Sequence, residues 1–346
     1  MDAFRYSVYG LTLESAFGLP CVPADSGTQP DVRVTTGRDS HFARARAERH
    51  AADSQQWFLC RRLTDETTYL RWRDLCEFLV SPDGREIRCR CLDASAVEAF
   101  NVYLLGQVLS FSLLALGIEA LHGTAVALNN DTAVLFVGDC GYGKSTLAAA
   151  LLARGLRVVT DDLVVLEERA DTFVIHPGVP RLKLYESVHH ALLQPRFAAA
   201  PMNNGTGKAV VALGPDETTD RVLPLTAFYV LSDPEEPVVE GEEAIAIEPV
   251  EGRDAFLAVT RAAFNLIVLD RQRCANQFAW AARLSGAIPV RRVSYPRRLS
   301  LLPAVCDAVI ADARQRAAIA AASTSRLPDT LSLSDSISAS RGELSL

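Results

Sequence analysis

Residues 138 to 167, GDCGYGKSTLAAALLARGLRVVTDDLVVLE, begin with a glycine-rich turn and reach two adjacent aspartates one helix later. Gly138-Asp139-Cys140-Gly141-Tyr142-Gly143-Lys144-Ser145 satisfies G-x-x-x-x-G-K-[ST], with the strand-like run AVLFV before it and the helical spacing of STLAAALLARG after it. Glycines there permit the dihedrals that turn successive N–H groups inward, and a helix N-terminus adds partial positive charge. The stretch therefore reads as a cradle for the phosphates of ATP. Gly138 through Thr146 are the candidate nucleotide contacts, with Cys140 and Tyr142 contributing backbone. In this reading Lys144 bridges the β- and γ-phosphates and the Ser145 hydroxyl completes the coordination of Mg2+.

The run LRVVT reads as a strand that lies beside the glycine-loop strand and delivers Asp161 and Asp162 to the γ-phosphate. One carboxylate there can accept the proton of an attacking hydroxyl, and the other can hold Mg2+ directly or through water. Repulsion between them is expected to raise one pKa toward that of a useful base. The two roles could be assigned either way round, and an Asp pair can also simply cap a turn at a strand end. His122 precedes the loop strand, where it is either a hydrogen-bonded strand histidine or part of the site. Arg181 and Lys183 alternate on an extended piece and could clamp phosphate or a peptide carboxylate, or form a solvated face. Lys208 lies in NNGTGKAV, a loop that could close over substrate. Arg291, Arg292, Arg297 and Arg298, around Tyr295-Pro296, read as a solvated or ion-paired surface.

A chain of 346 residues with 49% hydrophobic content predicts two domains, or one large domain with additions. A formal net charge of -7 argues against a general nucleic-acid binder, which needs a basic footprint. Eight scattered cysteines without C-x-x-C pairs suit reduced thiols in the cytoplasm. The N-terminus has an early acid and no apolar h-region, so no signal peptide is expected. NVYLLGQVLSFSLLALGIEA, from Asn101, approaches membrane length, but Gln107, Ser110 and Ser112 interrupt it; a buried core helix is expected, and no membrane partner.

Residues 1–94 read as a β-rich domain, in which FRYSVYGLTLES alternates and a hairpin turns at Ser81-Pro82-Asp83-Gly84 between TTYLRWRDLCEFLV and REIRCRCL. From Ser95 the spacing becomes helical, with Ser95 and Glu98 in a capping-box pattern. Residues 95–322 hold the catalytic candidates and end in an amphipathic helix, and the serine-rich tail 323–346 is expected to be disordered.

His122-Gly123, GDCGYGKST, Gly155 and Asp161-Asp162, in that order and spacing, resemble the catalytic domain of HPr kinase/phosphorylase. PGVPRLKLY is similar to a segment that follows the acid pair in that family. FRYSVYGLTLES and Lys208-Ala209-Val210-Val211 further resemble the HPr-kinase-like proteins of lasso-peptide biosynthesis, which phosphorylate a precursor peptide on its C-terminal serine. The resemblance implies an α/β P-loop nucleotide-binding core of the HPr kinase / phosphoenolpyruvate carboxykinase type with a β-rich N-terminal domain. It also implies Asp161 as general base, Asp162 as its partner acid and His122 near the transferred phosphate, which leaves Asp162, with Ser145, as the candidate Mg2+ ligand. The family's downstream glycine-rich, acid-containing signature has no counterpart here, so recognition of HPr and reverse phosphorolysis are not implied.

The leading expectation is an ATP-dependent serine kinase acting on a peptide or protein, with a terminal carboxylate held by Arg181, Lys183 and Lys208. A small-molecule kinase and a non-catalytic ATP-sensing binding protein are the alternatives. The chain's own Ser345 is a further candidate acceptor, and a homo-oligomer is compatible with these features.

Overall fold

The computed structural model describes residues 3–48, 56–170, 172–203, 205–235 and 245–324. The apolar runs flanking Asn129 become antiparallel neighbours, Ala120–Ala127 and Ala133–Val137, and the Asn129 side chain closes their turn by accepting from the N–H groups of Asp131 and Thr132 at 2.8 Å. Both strands are buried on both faces. Val134 and Phe136 pack toward the helices Lys144–Ala153 and Leu302–Thr324, while Ala133, Leu135 and Val137 pack toward Gly252–Arg261 and Arg271–Ala287. Such a strand needs an unbroken apolar run rather than alternation, and the sequence carries one.

Around this pair runs a seven-stranded sheet in the order Ala133–Val137, Ala120–Ala127, Arg157–Arg169, Thr172–Ile175, Leu223–Leu231, Val290–Ser294, Ala246–Val250. Ala133–Val137 also pairs in parallel with Leu223–Leu231, which closes the first part of the sheet into a ring. The strand carrying the aspartates therefore does not lie beside the glycine-loop strand, as its proximity in sequence suggested. Ala120–Ala127 stands between them, because a strand with two free edges takes one neighbour on each. Nor does that strand end at the aspartates; it continues to Arg169. A small third sheet joins Arg181–Tyr185, Lys208–Ala212 and Ala200–Pro201.

The N-terminal residues build an eight-stranded sheet from Phe4 to Cys91, accompanied by the helix Asp39–Ala47. Its first hairpin turns at Tyr9 and Gly10, both with positive φ, the backbone a tight two-residue reversal requires. The turn at Ser81–Gly84 forms as expected, Gly84 donating its N–H to Ser81 O at 2.9 Å with φ 71°. TTYLRWRDLCEFLV, however, is two strands, Thr68–Trp72 and Cys76–Val80, reversing at Asp74 with φ 62°.

The long apolar segment begins its helix at Val97, not at a Ser95 cap. Ser95 instead donates its N–H and hydroxyl to Asp93 at 2.8 and 2.7 Å, a local bond that competes with capping. The segment runs on through a π-helical turn, Leu104–Val108, into Leu109–Ala115. Long and apolar enough by composition to cross a membrane, it is mostly buried within the protein. One hydrophobic cluster joins it to both halves of the chain: Leu13, Phe78 and Ile87 from the N-terminal sheet, Leu105 and Val108 from the helix, and Leu163 and Val165 from the aspartate strand. Thr324 ends the last helix, so most of the serine-rich tail, Ser345 included, lies outside the described residues. The eight cysteines are all free thiols.

Candidate functional site

The glycine loop owes its shape to three positive-φ glycines, Gly138 (147°), Gly141 (91°) and Gly143 (94°), the last forming the N-cap of Lys144–Ala153. Residues with a Cβ are strained in this region of φ, whereas glycine is not. The helix beyond is a run of Ala and Leu with high intrinsic propensity. It ends in a Schellman arrangement: Leu156 N–H donates to Leu151 O at 3.1 Å and Gly155 N–H to Leu152 O at 2.9 Å, with Gly155 at φ 88°. The Lys144 ammonium folds back into the loop and donates to the carbonyls of Gly138 (2.6 Å) and Asp139 (3.0 Å). Burial pulls its pKa down, against the attraction of Asp161. Ser145 and Thr146 stand partly buried in the first turn, and Asp139 and Cys140 are exposed at the loop tip. Tyr142 contributes more than backbone: its hydroxyl donates to Asp233 at 3.0 Å, tying the loop to the end of Leu223–Leu231.

The two aspartates part company at once. A register shift between Val158 and Thr160 precedes them, and Asp162 takes φ 80°, a strained conformation for a non-glycine residue. The left-handed φ breaks the alternation of a regular strand, so both carboxylates meet groups on one side of the sheet, Asp161 at Thr124 and Asp162 at His122, two residues apart on Ala120–Ala127. Asp161, 3% exposed, turns toward the glycine-loop helix. Its Oδ1 accepts from the hydroxyls of Ser145 (2.8 Å) and Thr124 (2.7 Å), and its Oδ2 from the Lys183 N–H (2.9 Å).

The Asp162 carboxylate has different partners, the Lys183 ammonium at 2.6 Å and His122 Nδ1 at 3.6 Å. Gly106, in the π-helical turn, lets the helix come close; a Cβ there would stand 3.1 Å from Asp162 Oδ2. Repulsion was expected to raise one of the pair. Burial does push Asp162 up, but Lys183, His122 and Arg181 outweigh it and hold the carboxyl well below the usual range. Burial also lowers the pKa of His122, whose ring packs edge-on to Phe264 at 5.6 Å. Asp162, His122, Lys183 and Gln107 form the polar end of a cavity of about 340 Å³.

Arg181 lies close to these groups but is not available to a ligand: it is 4% exposed and reaches Val102 O at 3.4 Å. Lys183 is engaged with Asp162. Lys208 sits at the start of its strand opposite Tyr185, its ammonium 5.2 Å from that ring, and its charge is felt at Lys144. The basic run divides. Arg291 pairs with Asp312 at 2.8 Å, and Arg297 lies 4.0 Å over Tyr295 and donates to Ser232 O at 2.6 Å, while Arg292 and Arg298 are exposed.

Ser145 and Asp161 together suit a hydrated divalent cation shared with phosphate oxygens, which Mg2+ prefers to an all-protein cage. Among the described residues no group of three or more His, Cys, Asp or Glu converges as a metal cluster. Thr124 and Gln107 were missed in the sequence. Thr124 could have been found as the second residue after His122 on an apolar strand, but Gln107 carried no signal beyond interrupting a hydrophobic run.

No protein-family model and no curated protein matches the chain. Among solved structures it is similar to the HPr(Ser) kinase/phosphatase from Coxiella burnetii, at 15% identity and a TM-score of 0.33, over 60% of this chain and 99% of that one. A likeness at that score carries no functional weight, and the function is read from the geometry of the site.

Proposed function

We propose that this chain transfers the γ-phosphoryl group of ATP to a hydroxyl acceptor. The observation that carries the reading is the division of partners between the adjacent aspartates, Asp161 on Ser145 of the glycine loop and Asp162 in the cavity with His122 and Lys183. The phosphates of ATP would rest on Gly138 through Thr146, against the N–H groups of the first helical turn, and Lys144 would exchange the Gly138 and Asp139 carbonyls for phosphate oxygens. Ser145 and Asp161 would hold Mg2+. Bound there, the ion neutralises charge on the transferred phosphoryl group.

Asp162 is the acceptor-side acid in this reading, the reverse of the assignment implied by the family resemblance. The acceptor O–H breaks, its proton passes to the Asp162 carboxylate, the new O–P bond forms, and the bond from the γ-phosphorus to the β–γ bridging oxygen breaks to release ADP. A carboxylate held so far down is a weak base. Phosphoryl transfer asks little covalent work of the protein, so the alignment given by Lys183 and His122 counts for more than basicity. The positive φ of Asp162 fits this role, since strain collects where geometry is used.

The acceptor we favour is a serine on a peptide, in keeping with the resemblance of His122-Gly123, the glycine loop and the acid pair to HPr kinase/phosphorylase, and with ATP as donor the compartment is the cytoplasm. A terminal carboxylate has less to meet than the sequence suggested, because Arg181 is interior and Lys183 is paired; Lys208 alone remains at the edge. The test is transfer of label from γ-labelled ATP to serine peptides, beside the same peptides with alanine for serine. Lys144→Ala should abolish most transfer and keep the folded circular dichroism spectrum. Equal rates for mutant and wild type would remove the assignment, and labelling of small alcohols alone would favour a small-molecule kinase.

A further inference from the structure

The polar groups of the cavity belong to the catalytic half of the chain, but two of its aromatic wall residues come from the N-terminal sheet. Phe58 and Trp72 come from neighbouring strands of the N-terminal sheet, paired directly across from each other in register. Tyr103, from the apolar helix, stacks on Trp72 with centroids 4.1 Å apart and planes 9° from parallel, and Phe58 lies 4.8 Å from Trp72 on another side. Met202 and Phe264 complete the wall. The Tyr103 hydroxyl accepts from Asn203 Nδ2 at 2.7 Å, so the ring is fixed from behind. Aromatic faces joined to a polar tip make a site that orients a flat apolar body while a few polar groups fix its end.

Size narrows the occupant. About 340 Å³ is near the lower limit for ligand cavities, roughly 300–1,000 Å³, and admits a small molecule or the side chains of one extended segment. Adenine is not the natural occupant, since it lies at the far end of the triphosphate from the phosphoryl group that the acid in this cavity must meet.

Resting on the phosphotransferase reading, we propose that the N-terminal sheet is the acceptor-specificity element, and that the acceptor is a hydroxyl whose carrier places an aromatic or large aliphatic group against Phe58, Trp72 and Tyr103. Two sources share that chemistry: an unfolded peptide with such a residue beside its serine, and a small aromatic alcohol. The peptide is the source we favour, because a residue beside its serine brings the aromatic or aliphatic group and the hydroxyl to the cavity that holds Phe58, Trp72 and Asp162 together.

The experiment compares kcat/KM of the full chain, with Mg2+-ATP saturating, for short peptides carrying serine beside Phe, Leu, Ala or Asp, and for benzyl alcohol against ethanol. The Phe and Leu peptides are expected to exceed the Ala and Asp peptides by about tenfold or more, the scale on which a pocket reads one apolar group. Phe58→Ala, at a partly buried position on an edge strand, should flatten that ratio, and Trp72→Leu should do so more strongly. The ratio is internal to each variant, so a loss of folded protein cancels. Binding of the Phe peptide is measured in parallel by calorimetry with a non-hydrolysable ATP analogue present. Peptide binding that Phe58→Ala weakens, without transfer in the wild type, would remove the phosphotransferase reading and keep the pocket. Transfer with equal efficiency to all four peptides, or a Phe58→Ala variant that loses analogue binding rather than discrimination, would overturn the proposal. Discrimination among alcohols but not peptides would overturn the peptide source.

Discussion

Replacing Lys183 with Met tests the electrostatics on which the acceptor side depends. The Lys183–Asp162 pair spans 2.6 Å between side chains only 14% and 15% exposed. Unit charges at that separation attract by roughly 6 kcal/mol at an effective dielectric of about 20. Desolvation of both groups offsets much of this, but removal of Lys183 leaves the Asp162 charge buried with only His122 and Arg181 near it, at a cost approaching that of a broken buried pair, about 3–5 kcal/mol. Asp162→Asn should cost less, because the lysine stem can carry its charge outward. The double variant should lose about 1–3 kcal/mol less than the sum, as expected of two groups in contact.

The pH dependence has a definite sign. Asp162 is held below its ordinary pKa, so its contribution to stability is complete above the unfolded value, about 3.9, and is lost as the pH falls through the lower folded value. In Lys183→Met burial, the largest influence on Asp162, is opposed only by His122 and Arg181, so the folded pKa is expected to rise and stability to fall as the pH is raised toward neutrality. The gap between variant and wild type should therefore widen from pH 4.5 to pH 7. Urea denaturation at the two pH values, followed by circular dichroism, gives all four corners of the cycle. A Lys183→Met variant within about 1 kcal/mol of wild type at pH 7, or strict additivity, would refute the reasoning, since a buried charge stripped of its nearest partner cannot cost so little.

Gly106→Ala should set a methyl 3.1 Å from Asp162 Oδ2 and displace that carboxylate, so turnover falls while the Kd for Mg2+-ATP stays within about twofold, the small residual coupling expected of independent sites; a fall in nucleotide affinity of equal size would contradict it. Thr124→Val keeps the shape of the side chain but removes a buried donor to Asp161, and should cost about 1.5–3 kcal/mol in a urea titration. No loss of stability there would mean that Asp161 does not depend on its hydrogen bonds for its placement.

The glycine loop was legible in sequence because its chemistry is local: positive-φ glycines, a lysine, a hydroxyl and an apolar helix follow one another without a break. The adjacency of Asp161 and Asp162 was equally plain. Their separation was not, because it arises from a register shift at Val158–Thr160 and a left-handed φ at Asp162, neither of which alters hydrophobic periodicity. Strand order was hidden for a related reason. Pairing of Arg157–Arg169 with Ala120–Ala127 is decided by packing across distant segments, and local pattern gives only the existence of each strand. The acceptor wall is the extreme case, since Phe58 and Trp72 reach Asp162 across about a hundred residues of chain. Ser95 shows how a local signal can mislead: the capping pattern was present, but Asp93 claimed the hydroxyl.

The most direct test separates the two aspartates by measurement. Mg2+-ATP affinity is titrated at high and low Mg2+, and transfer to a serine peptide is timed, for wild type, Asp161→Asn and Asp162→Asn. With Asp161 on the nucleotide side and Asp162 on the acceptor side, Asp161→Asn should lose the Mg2+-dependent part of nucleotide affinity. Asp162→Asn should keep that affinity and lose about 10²- to 10⁴-fold in transfer. Two variants alike in both measurements, or the same two effects exchanged between them, would contradict the division of the pair.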